Sequence, residues 1–299
     1  MSRKGKMPEK RLLCLGFGYT ARIFSLRLRK KGWIIAGTTR SQEKAEALSR
    51  DGVEAIMWEG DNVEASWLNG AAALLISTPP GENGCPAFNA AAAAVAAQSK
   101  QWRWIGYLST NGVYGDHHGG WVTEDSELLA TSERSRRRIE AEAQWRALAR
   151  QNDLPLIVFR LPGIYGPGRS ALDTVREGKA KRIFKEGQVF SRMHVEDIAA
   201  TLDATMKKPR IHDLYNLADD EPAPPQDVVE YACKLLGVEP PPLVPIEDAN
   251  LSPMAKSFYA DNKRVSNRRM KDALGVRLKF PTYREGLDAI AADIGKSSG

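Results

Sequence analysis

Apolar runs of strand length alternate with amphipathic segments through the first two thirds of the chain. The predicted strands are 11–16, 33–40, 53–61, 71–78, 102–110 and 154–162. Helices are predicted between them, including 20–32, 41–52 and 132–151. Continuous apolar strands separated by helices are typical of a parallel sheet with both faces covered. The pattern therefore predicts an α/β fold with a Rossmann-type, doubly wound parallel sheet.

The alternation weakens after about residue 165. Segment 180–206 predicts a short strand and a helix, 214–225 predicts a further strand with a loop, and 226–237 predicts a helix. The prolines at 240–245 predict a linker or surface loop. We predict a Rossmann domain over 1–165, to which 190–217 returns. The rest, 166–299, is predicted to form a smaller C-terminal substrate-binding lobe.

Composition narrows the possible classes of protein. The 299 residues carry a net charge of +6, which permits an anionic ligand without requiring nucleic acid. Cys14, Cys85 and Cys233 are far apart and odd in number, which indicates buried thiols in a reducing compartment. The histidines are equally dispersed, so no metal site is predicted.

Membrane insertion and secretion are also disfavoured by the sequence. No apolar stretch approaches the roughly 20 residues that span a bilayer. The basic N-terminal segment lacks the apolar core of a signal peptide. The expected location is the cytoplasm.

A glycine pattern lies between the first predicted strand and its helix. Gly16, Gly18 and Ala21 are spaced as G-x-G-x-x-A. Gly16 would allow a tight turn, Gly18 would let the backbone approach a pyrophosphate, and Ala21 would let the helix pack closely. This predicts dinucleotide binding at the helix N-terminus; the alternative is a turn needed only for packing. The other residues assigned to the site are Tyr19, Thr20, Ser77 and Thr78.

The end of the second strand bears on the choice between NAD and NADP. An acidic residue there would bind a ribose 2′-hydroxyl, whereas the sequence reads Thr38, Thr39, Arg40, Ser41. Arg40 could form a fork onto a 2′-phosphate, with Thr39 and Ser41 as donors, which favours NADP over NAD. The alternative is an exposed arginine at a helix start. Asp61 is a weaker candidate for contact with the adenine ring.

Several later segments share one set of motifs. Segments 107–116 (YLSTNGVYGD) and 159–169 (FRLPGIYGPGR) carry the clearest ones, accompanied by 194–199, 214–222 and the C-terminal lobe. They resemble the extended short-chain dehydrogenases/reductases, the NAD-dependent epimerase/dehydratase group, over about residues 11–290. The resemblance implies a Rossmann fold, an NAD(P) cofactor and oxidoreductase or epimerase-like chemistry on a small hydroxyl, carbonyl or sugar-type substrate.

The resembled family uses a Ser or Thr after strand five and a Tyr-x-x-x-Lys pair on the next helix. The resemblance implies Thr110 at the hydroxyl position, although a threonine can simply end a strand. With Glu142 as the anchor, Arg134 and Arg138 occupy the tyrosine and lysine positions. Arginine is not deprotonated in proteins, so Arg134 cannot act as the base. Both arginines remain candidates for contact with the cofactor or a substrate anion.

Other groups could replace the missing tyrosine. Tyr114, Tyr165 and His194 belong to segments that recur for structural reasons and are weak candidates for proton transfer. Glu124 is expected to be a solvated loop carboxylate more than a site residue. Nucleotide-sugar epimerases place a phosphate-binding arginine four residues before the histidine of the 194–199 segment. Phe190 stands there, with Arg192 two residues away, so the resemblance does not support a nucleotide sugar.

Three functions compete for this sequence. The first is an NAD(P)-dependent oxidoreductase or epimerase-like enzyme with a non-standard acid or base. The second is a non-catalytic NAD(P)H-binding sensor or regulator, which the missing pair favours. A nucleic-acid binder is disfavoured because Glu133, Glu140 and Glu142 are interleaved with the arginines. A homodimer using the helix at 132–150 is a further expectation from the resemblance.

Overall fold

A computed structural model of the chain describes residues 10–297. The prediction about a signal peptide depends mainly on residues 1–9 and lies outside the described residues. The described strands are β1 Arg11–Leu15, β2 Ile34–Thr39, β3 Glu54–Met57, β4 Ala73–Ile76, β5 Trp104–Thr110, β6 Trp121–Val122, β7 Leu156–Leu161, β8 Gly163–Tyr165, β9 Arg182–Phe184, β10 Arg192–His194, β11 Leu214–Asn216, β12 Leu243–Pro245 and β13 Arg264–Val265. The described helices are α1 Tyr19–Arg29, α2 Gln42–Arg50, α3 Ala65–Leu68, α4 Pro86–Ala97, α5 Glu133–Asn152, α6 Ala171–Arg176, α7 Val195–Lys207, α8 Pro225–Leu236, α9 Pro253–Ala260, α10 Arg268–Leu274 and α11 Tyr283–Ser297.

A seven-stranded parallel sheet forms in the order β11-β7-β5-β4-β1-β2-β3. This confirms the predicted fold class. In the register of β1, Leu13 pairs with Ala36 of β2 on one side and with Leu74 of β4 on the other. Along the chain β1 leads to β2 on one side of it, whereas β4, which comes later, lies on its other side. The carboxyl end of β1 is therefore a topological switch point, where α/β sheets bind their ligands.

Several predicted boundaries are corrected by the structure. Strand three ends at Met57, so Asp61 lies in the loop beyond it and does not end the strand. The proline segment at 240–245 is not simply a loop, because Leu243–Pro245 pairs in parallel with Arg182–Phe184. A proline can take part at such an edge position because its missing N–H need not face the partner strand.

The chain forms two compact units. The first comprises the described residues up to Ser109 with Arg136–Phe159 and Ala199–Tyr215, and the second comprises the remainder. Close packing does not by itself show which segments fold independently. The division into domains over 1–165 and 166–299, with the return of 190–217, thus stays a prediction.

Each unit has its own apolar core. In the first, Trp104 is fully buried, lies against Phe24 and Phe159, and donates its indole N–H to Thr205 Oγ1 at 3.0 Å. The indole therefore contributes apolar area without leaving a buried donor unpaired. The second core gathers the apolar faces of α6, α8 and α11; its buried members are Tyr165, Leu172, Ala223, Val228, Ala232, Tyr283, Leu287 and Ile290.

Candidate functional site

The turn after β1 is held by side chains from both neighbouring strands. Gly16 adopts a left-handed φ of +88°, its N–H donates to Thr38 Oγ1 at 2.7 Å, and its carbonyl accepts from Ser77 Oγ at 2.7 Å. β1 lies between β2 and β4, so both partners reach the same residue. The predicted glycine turn is thereby held from two sides. The Ser77 hydroxyl is used to bond the backbone of Gly16.

Space for a ligand is left beside this turn. A Cβ atom on Gly16 would lie 3.0 Å from both Ser77 Oγ and Thr78 Cγ2, whereas one on Gly18 would have no atom within 4 Å. Gly18 caps α1 with no side-chain hydrogen bond. Thr78 Oγ1 is buried and has no hydrogen-bond partner among the described residues. Buried polar atoms are normally paired, so this hydroxyl suits a ligand contact.

The first residues of α1 differ in burial. Thr20 and Ala21 are buried, with Ala21 fully enclosed, while Tyr19 is half-buried as the first helical residue. A larger residue than alanine at position 21 would push the helix away from its neighbours. Close packing of Ala21 is what the glycine pattern predicted for its third position.

The residues after β2 form a polar corner. Thr39 Oγ1 accepts from the Ser41 N–H at 3.3 Å, and Ser41 Oγ accepts from the Lys44 N–H at 3.3 Å, so that Ser41 caps α2. The Arg40 side chain is exposed and has no ion-pair partner within residues 10–297. Asp61 is also exposed, and its carbonyl accepts from the Trp58 indole at 3.3 Å.

Arg138 occupies a structural position in the first unit. Its Nη1 donates to the Tyr107 hydroxyl at 3.1 Å and to the Leu108 carbonyl at 3.0 Å. Burial raises the pKa of Tyr107 to about 12, so that phenol keeps its proton near neutral pH. One turn further along α5, the buried Glu142 carboxylate accepts from Ser109 Oγ. These contacts attach α5 to β5, and the sequence pattern had not indicated Tyr107 or Ser109 for them.

The second unit contains a cavity of about 500 Å³. Thr110 and Arg134 both line it, whereas Arg138 does not. Four basic side chains lie in its wall against one carboxylate, Asp261. The lining residues are Thr110, Asn111, Gly112, Ser132, Arg134, Ser135, Pro162, Gly163, Ile164, Arg169, Val189, Phe190, Ser191, Arg192, Ala255, Ser257, Phe258, Tyr259, Asp261 and Lys263.

Thr110 presents a hydroxyl whose acceptor role is already used. Its Oγ1 accepts from the Gly112 N–H at 3.1 Å and caps the short 3₁₀ turn Asn111–Tyr114. The O–H can still donate to a ligand oxygen, because a hydroxyl has one donor besides its lone pairs. The buried Ser135 hydroxyl lies next to it: a Cβ on Gly112 would be 3.1 Å from Ser135 Oγ and 3.4 Å from Thr110 Oγ1. Nothing in the sequence distinguished Ser135 from other small residues.

Arg134 and Lys263 differ in how they are held. The Arg134 side chain is exposed, and its guanidinium lies over the Phe258 ring, 4.7 Å from the centroid. Lys263 is buried, donates to the Gly115 carbonyl at 2.5 Å and pairs with Asp261 at 3.3 Å. Burial lowers the pKa of Lys263. The single carboxylate of the wall, Asp261, is therefore already paired with Lys263.

Helix α9 supplies one side of the cavity through Ala255, Ser257, Phe258 and Tyr259. None of its residues is fully buried, and Met254 and Phe258 are exposed by 64% and 48%. This wall therefore has little core behind it.

The weaker candidates for proton transfer are buried in structural roles. His194 Nδ1 accepts from the Glu196 N–H at 3.2 Å, and burial lowers its pKa to about 4. The Tyr114 hydroxyl donates to Asn216 at 2.7 Å, and the Tyr165 hydroxyl donates to the Thr282 carbonyl at 3.3 Å. Burial raises the pKa of both phenols. None of the three is poised near neutrality.

The expectation for Glu124 was wrong. Its carboxylate is only 7% exposed, accepts from the Asn216 N–H at 2.8 Å and pairs with Arg269 at 3.6 Å. It is buried and tied to two partners, so it is not a solvated loop residue. The surrounding sequence is polar, which gave no sign that this segment packs inward.

Asp219 is a buried carboxyl behind the cavity wall. It is 2% exposed, Oδ1 accepts from the Glu221 N–H at 3.3 Å, and Oδ2 has no partner among the described residues. Burial raises its pKa to about 8, although the nearby Arg192 acts in the opposite direction. Arg192 donates through Nη1 to the carbonyls of Phe190 (2.9 Å) and Ala223 (3.1 Å). The sequence offered no sign of this carboxyl.

Within residues 10–297, no three histidine, cysteine or carboxylate side chains lie close enough together to hold a metal ion. No helix in the described chain is both long and apolar enough to cross a bilayer.

Comparisons with known proteins place these features in context. The profile of the NAD dependent epimerase/dehydratase family matches residues 88–218. Protein YeeZ of Escherichia coli (strain K12) is 25% identical over 290 residues, which cover 91% of this chain and 97% of YeeZ. The profile match begins after the glycine turn, whereas the YeeZ match covers most of the chain.

Two solved structures resemble the whole chain. A functionally unknown conserved protein from Silicibacter pomeroyi DSS is 50% identical with a TM-score of 0.88, covering 95% of this chain and 99% of that one. The dTDP-glucose 4,6-dehydratase (rfbB) of Bacillus anthracis str. Ames, solved in complex with NAD, is 18% identical with a TM-score of 0.73 and covers 96% of each chain. At that identity the second likeness shows the fold alone.

Proposed function

Because the profile of the NAD dependent epimerase/dehydratase family matches residues 88–218, we propose that the chain is a nicotinamide-dinucleotide-dependent oxidoreductase or epimerase-like enzyme of that family. Its substrate would be a small hydroxyl, carbonyl or sugar-type compound. The observation that carries the proposal is the turn at Gly16, which is held from two sides beside an open Gly18 and the unpaired Thr78 hydroxyl.

The residues present fit a dinucleotide. Gly16, Gly18 and the first N–H groups of α1 would receive the pyrophosphate, since a helix N-terminus without a side-chain cap attracts anions. Thr78 Oγ1 would gain the hydrogen-bond partner it lacks in the described chain. When bound, the nicotinamide supplies or accepts a hydride. The NAD in the Bacillus anthracis structure supports the same class of cofactor.

The chain's own catalytic contribution would come from the cavity. Thr110 would donate its free O–H to the reacting oxygen of the substrate, while the Gly112 N–H fixes the direction of the hydroxyl. Arg134 cannot accept a proton and would instead bind the substrate or polarise its reacting group. Arg138 would act as a positioning residue through its bonds to Tyr107 and Leu108.

Titration of the purified protein with NADPH and NADH, followed by fluorescence, tests the cofactor part of the proposal. Binding of at least one at sub-millimolar concentration is expected. If neither binds there, the proposed function is overturned.

Arg40 is expected to set the preference for NADP. Replacing Arg40 with alanine should weaken NADPH binding about tenfold or more, because a charge-assisted bond to the 2′-phosphate is lost. NADH binding should change by less than about twofold, since NADH has no such phosphate. Arg50→Ala, at the other end of α2, is the matched control because it removes an equal charge. Equal loss for both cofactors would contradict the NADP assignment.

Thr110 is expected to affect turnover without affecting cofactor binding. Thr110→Val should lower kcat/KM about tenfold through loss of the donated hydrogen bond, and Thr110→Ser should restore most of it. The assay is oxidation of NADPH with whichever carbonyl compound the wild-type protein reduces fastest. A valine variant with unchanged kcat/KM would remove Thr110 from the mechanism.

A second candidate function is a sensor that binds the reduced cofactor without turnover. It is favoured by the missing tyrosine and by the use of Arg138 in packing. Tight NADPH binding with no oxidation by a broad panel of carbonyl compounds, hydroxy acids and sugars would favour this reading over the enzyme.

A further inference from the structure

The balance of charge in the second-unit cavity is strongly one-sided. Arg134, Arg169, Arg192 and Lys263 line it against a single carboxylate, Asp261. Asp261 lies 3.3 Å from the Lys263 ammonium, and no ion pair joins it to Arg134 among the described residues. The cavity therefore favours an anionic ligand.

Arg134 is arranged to receive such an anion. Its guanidinium lies over the Phe258 ring at 4.7 Å, and no carboxylate pairs with it anywhere in residues 10–297. An arginine stacked by one face keeps its N–H edge free, and that edge matches two oxygens of a carboxylate or phosphate. The residue also lies in the first turn of the 20-residue helix α5, where the helix dipole adds positive potential.

The cavity lined by Arg134 is also lined by the hydroxyl-bearing residues Thr110 and Ser135. Ser135 follows Arg134 in α5, and its hydroxyl and that of Thr110 flank the same glycine, Gly112. A ligand group held by Arg134 would thus lie in the cavity that Thr110 lines.

We propose that the cavity binds a small organic acid whose oxyanion group, a carboxylate or phosphate, is held by Arg134 within the cavity lined by Thr110. This rests on the proposed function, in which that cavity is the substrate site. It deepens that function: the substrate is a hydroxy or oxo acid, or a small phosphate ester, with the anion close to the carbon that reacts. Apolar wall residues such as Ile164 and Phe258 would cover the rest of its skeleton.

Anion binding without cofactor tests the proposal. Calorimetry at low ionic strength with malonate as the carboxylate probe and inorganic phosphate as the phosphate probe should detect saturable binding of at least one. Arg134→Gln should weaken that binding about tenfold or more through loss of the guanidinium fork. Arg136→Gln is the matched control: it removes the same charge from the same helix at an exposed residue that does not line the cavity. The control should bind within about twofold of wild type, since Arg136 does not line the cavity and an exposed charge acts on the anion only weakly through water.

Each outcome bears on the proposal. Preference for malonate assigns a carboxylic acid, and preference for phosphate assigns a phosphate ester. No saturable binding of either probe overturns the proposal, as does equal weakening by Arg134→Gln and Arg136→Gln. Thermal melting of Arg134→Gln close to that of wild type shows that the variant is folded; if it melts early, Arg134→Lys is tested, which should bind more weakly than wild type for lack of the fork.

The two proposals fail separately. If wild-type protein binds malonate or phosphate but neither NADPH nor NADH, the proposed function falls and the anion site stands. If it binds NADPH but neither anion, the cofactor assignment stands and the substrate class is wrong.

Discussion

Replacing Gly16 with valine is expected to weaken NADPH binding by about a hundredfold or more, because strain and steric overlap act together. A β-branched residue at a φ of +88° is strained, and its Cβ would lie 3.0 Å from Ser77 Oγ and Thr78 Cγ2. The turn would have to move away from the two strands that hold it. The hydrogen bonds of Gly16 to Thr38 and Ser77 would be lost with it, and α1 would no longer start where a pyrophosphate can reach it.

Gly32→Val is the matched control for this change. Gly32 has a similar φ of +77°, but a Cβ there would meet no atom within 4 Å. Both variants should lose about 1–3 kcal/mol of stability from backbone strain, and only Gly16→Val should lose binding. Fluorescence titration and urea unfolding measure the two effects. Equal affinity in the Gly16 and Gly32 variants would show that the turn has no part in binding the cofactor.

The second large effect expected is a fall in stability as the pH rises towards 8. Asp219 has a folded-state pKa of about 8 against 3.8 in the unfolded chain, so between these values the folded state binds the extra proton. That stabilising contribution is present below about pH 4 and is lost as pH rises through about 8. The change over this interval should amount to roughly 3–5 kcal/mol in the free energy of unfolding.

Asp219→Asn should remove this dependence. Asparagine stays neutral, and its side-chain oxygen can still accept from the Glu221 N–H. The variant should be more stable than wild type at pH 8.5 and close to it at pH 4, as measured by urea unfolding across that range. Asp220→Asn is the neighbouring control, since Asp220 is an exposed carboxylate paired with Lys271, and such pairs contribute about 0–1 kcal/mol. A wild-type pH profile retained in Asp219→Asn would contradict the assignment.

The fold was predictable because its signals are local and repeated. Each apolar run of the first two thirds became a strand of the sheet, since buried parallel strands need side chains that are apolar on both faces. The small sheets of the second unit were not foreseen. Leu243–Pro245 pairs with Arg182–Phe184, about 60 residues earlier, although the prolines at 240–245 predicted a linker or surface loop.

The candidate site was predictable to different degrees. The spacing of Gly16, Gly18 and Ala21 gave the turn and its direction, because a sharp turn restricts both residue type and separation. Helical spacing placed Arg134 and Arg138 four residues apart, but it did not show that Arg138 bonds to Tyr107 and Leu108 while Arg134 lines the cavity. Their partners come from remote segments, so only the folded chain reveals the difference.

The two walls of the cavity differ in how readily their residues can be substituted, and helix α9 forms the more tolerant wall. One wall rests on the short strands β8 and β10, whereas Pro253–Ala260 has no fully buried residue. Substitutions at exposed positions usually alter stability by less than about 0.5 kcal/mol, while buried ones cost several times more. Substitutions in this helix can therefore change the shape of the cavity at a smaller cost in stability than substitutions in the sheet or the glycine turn.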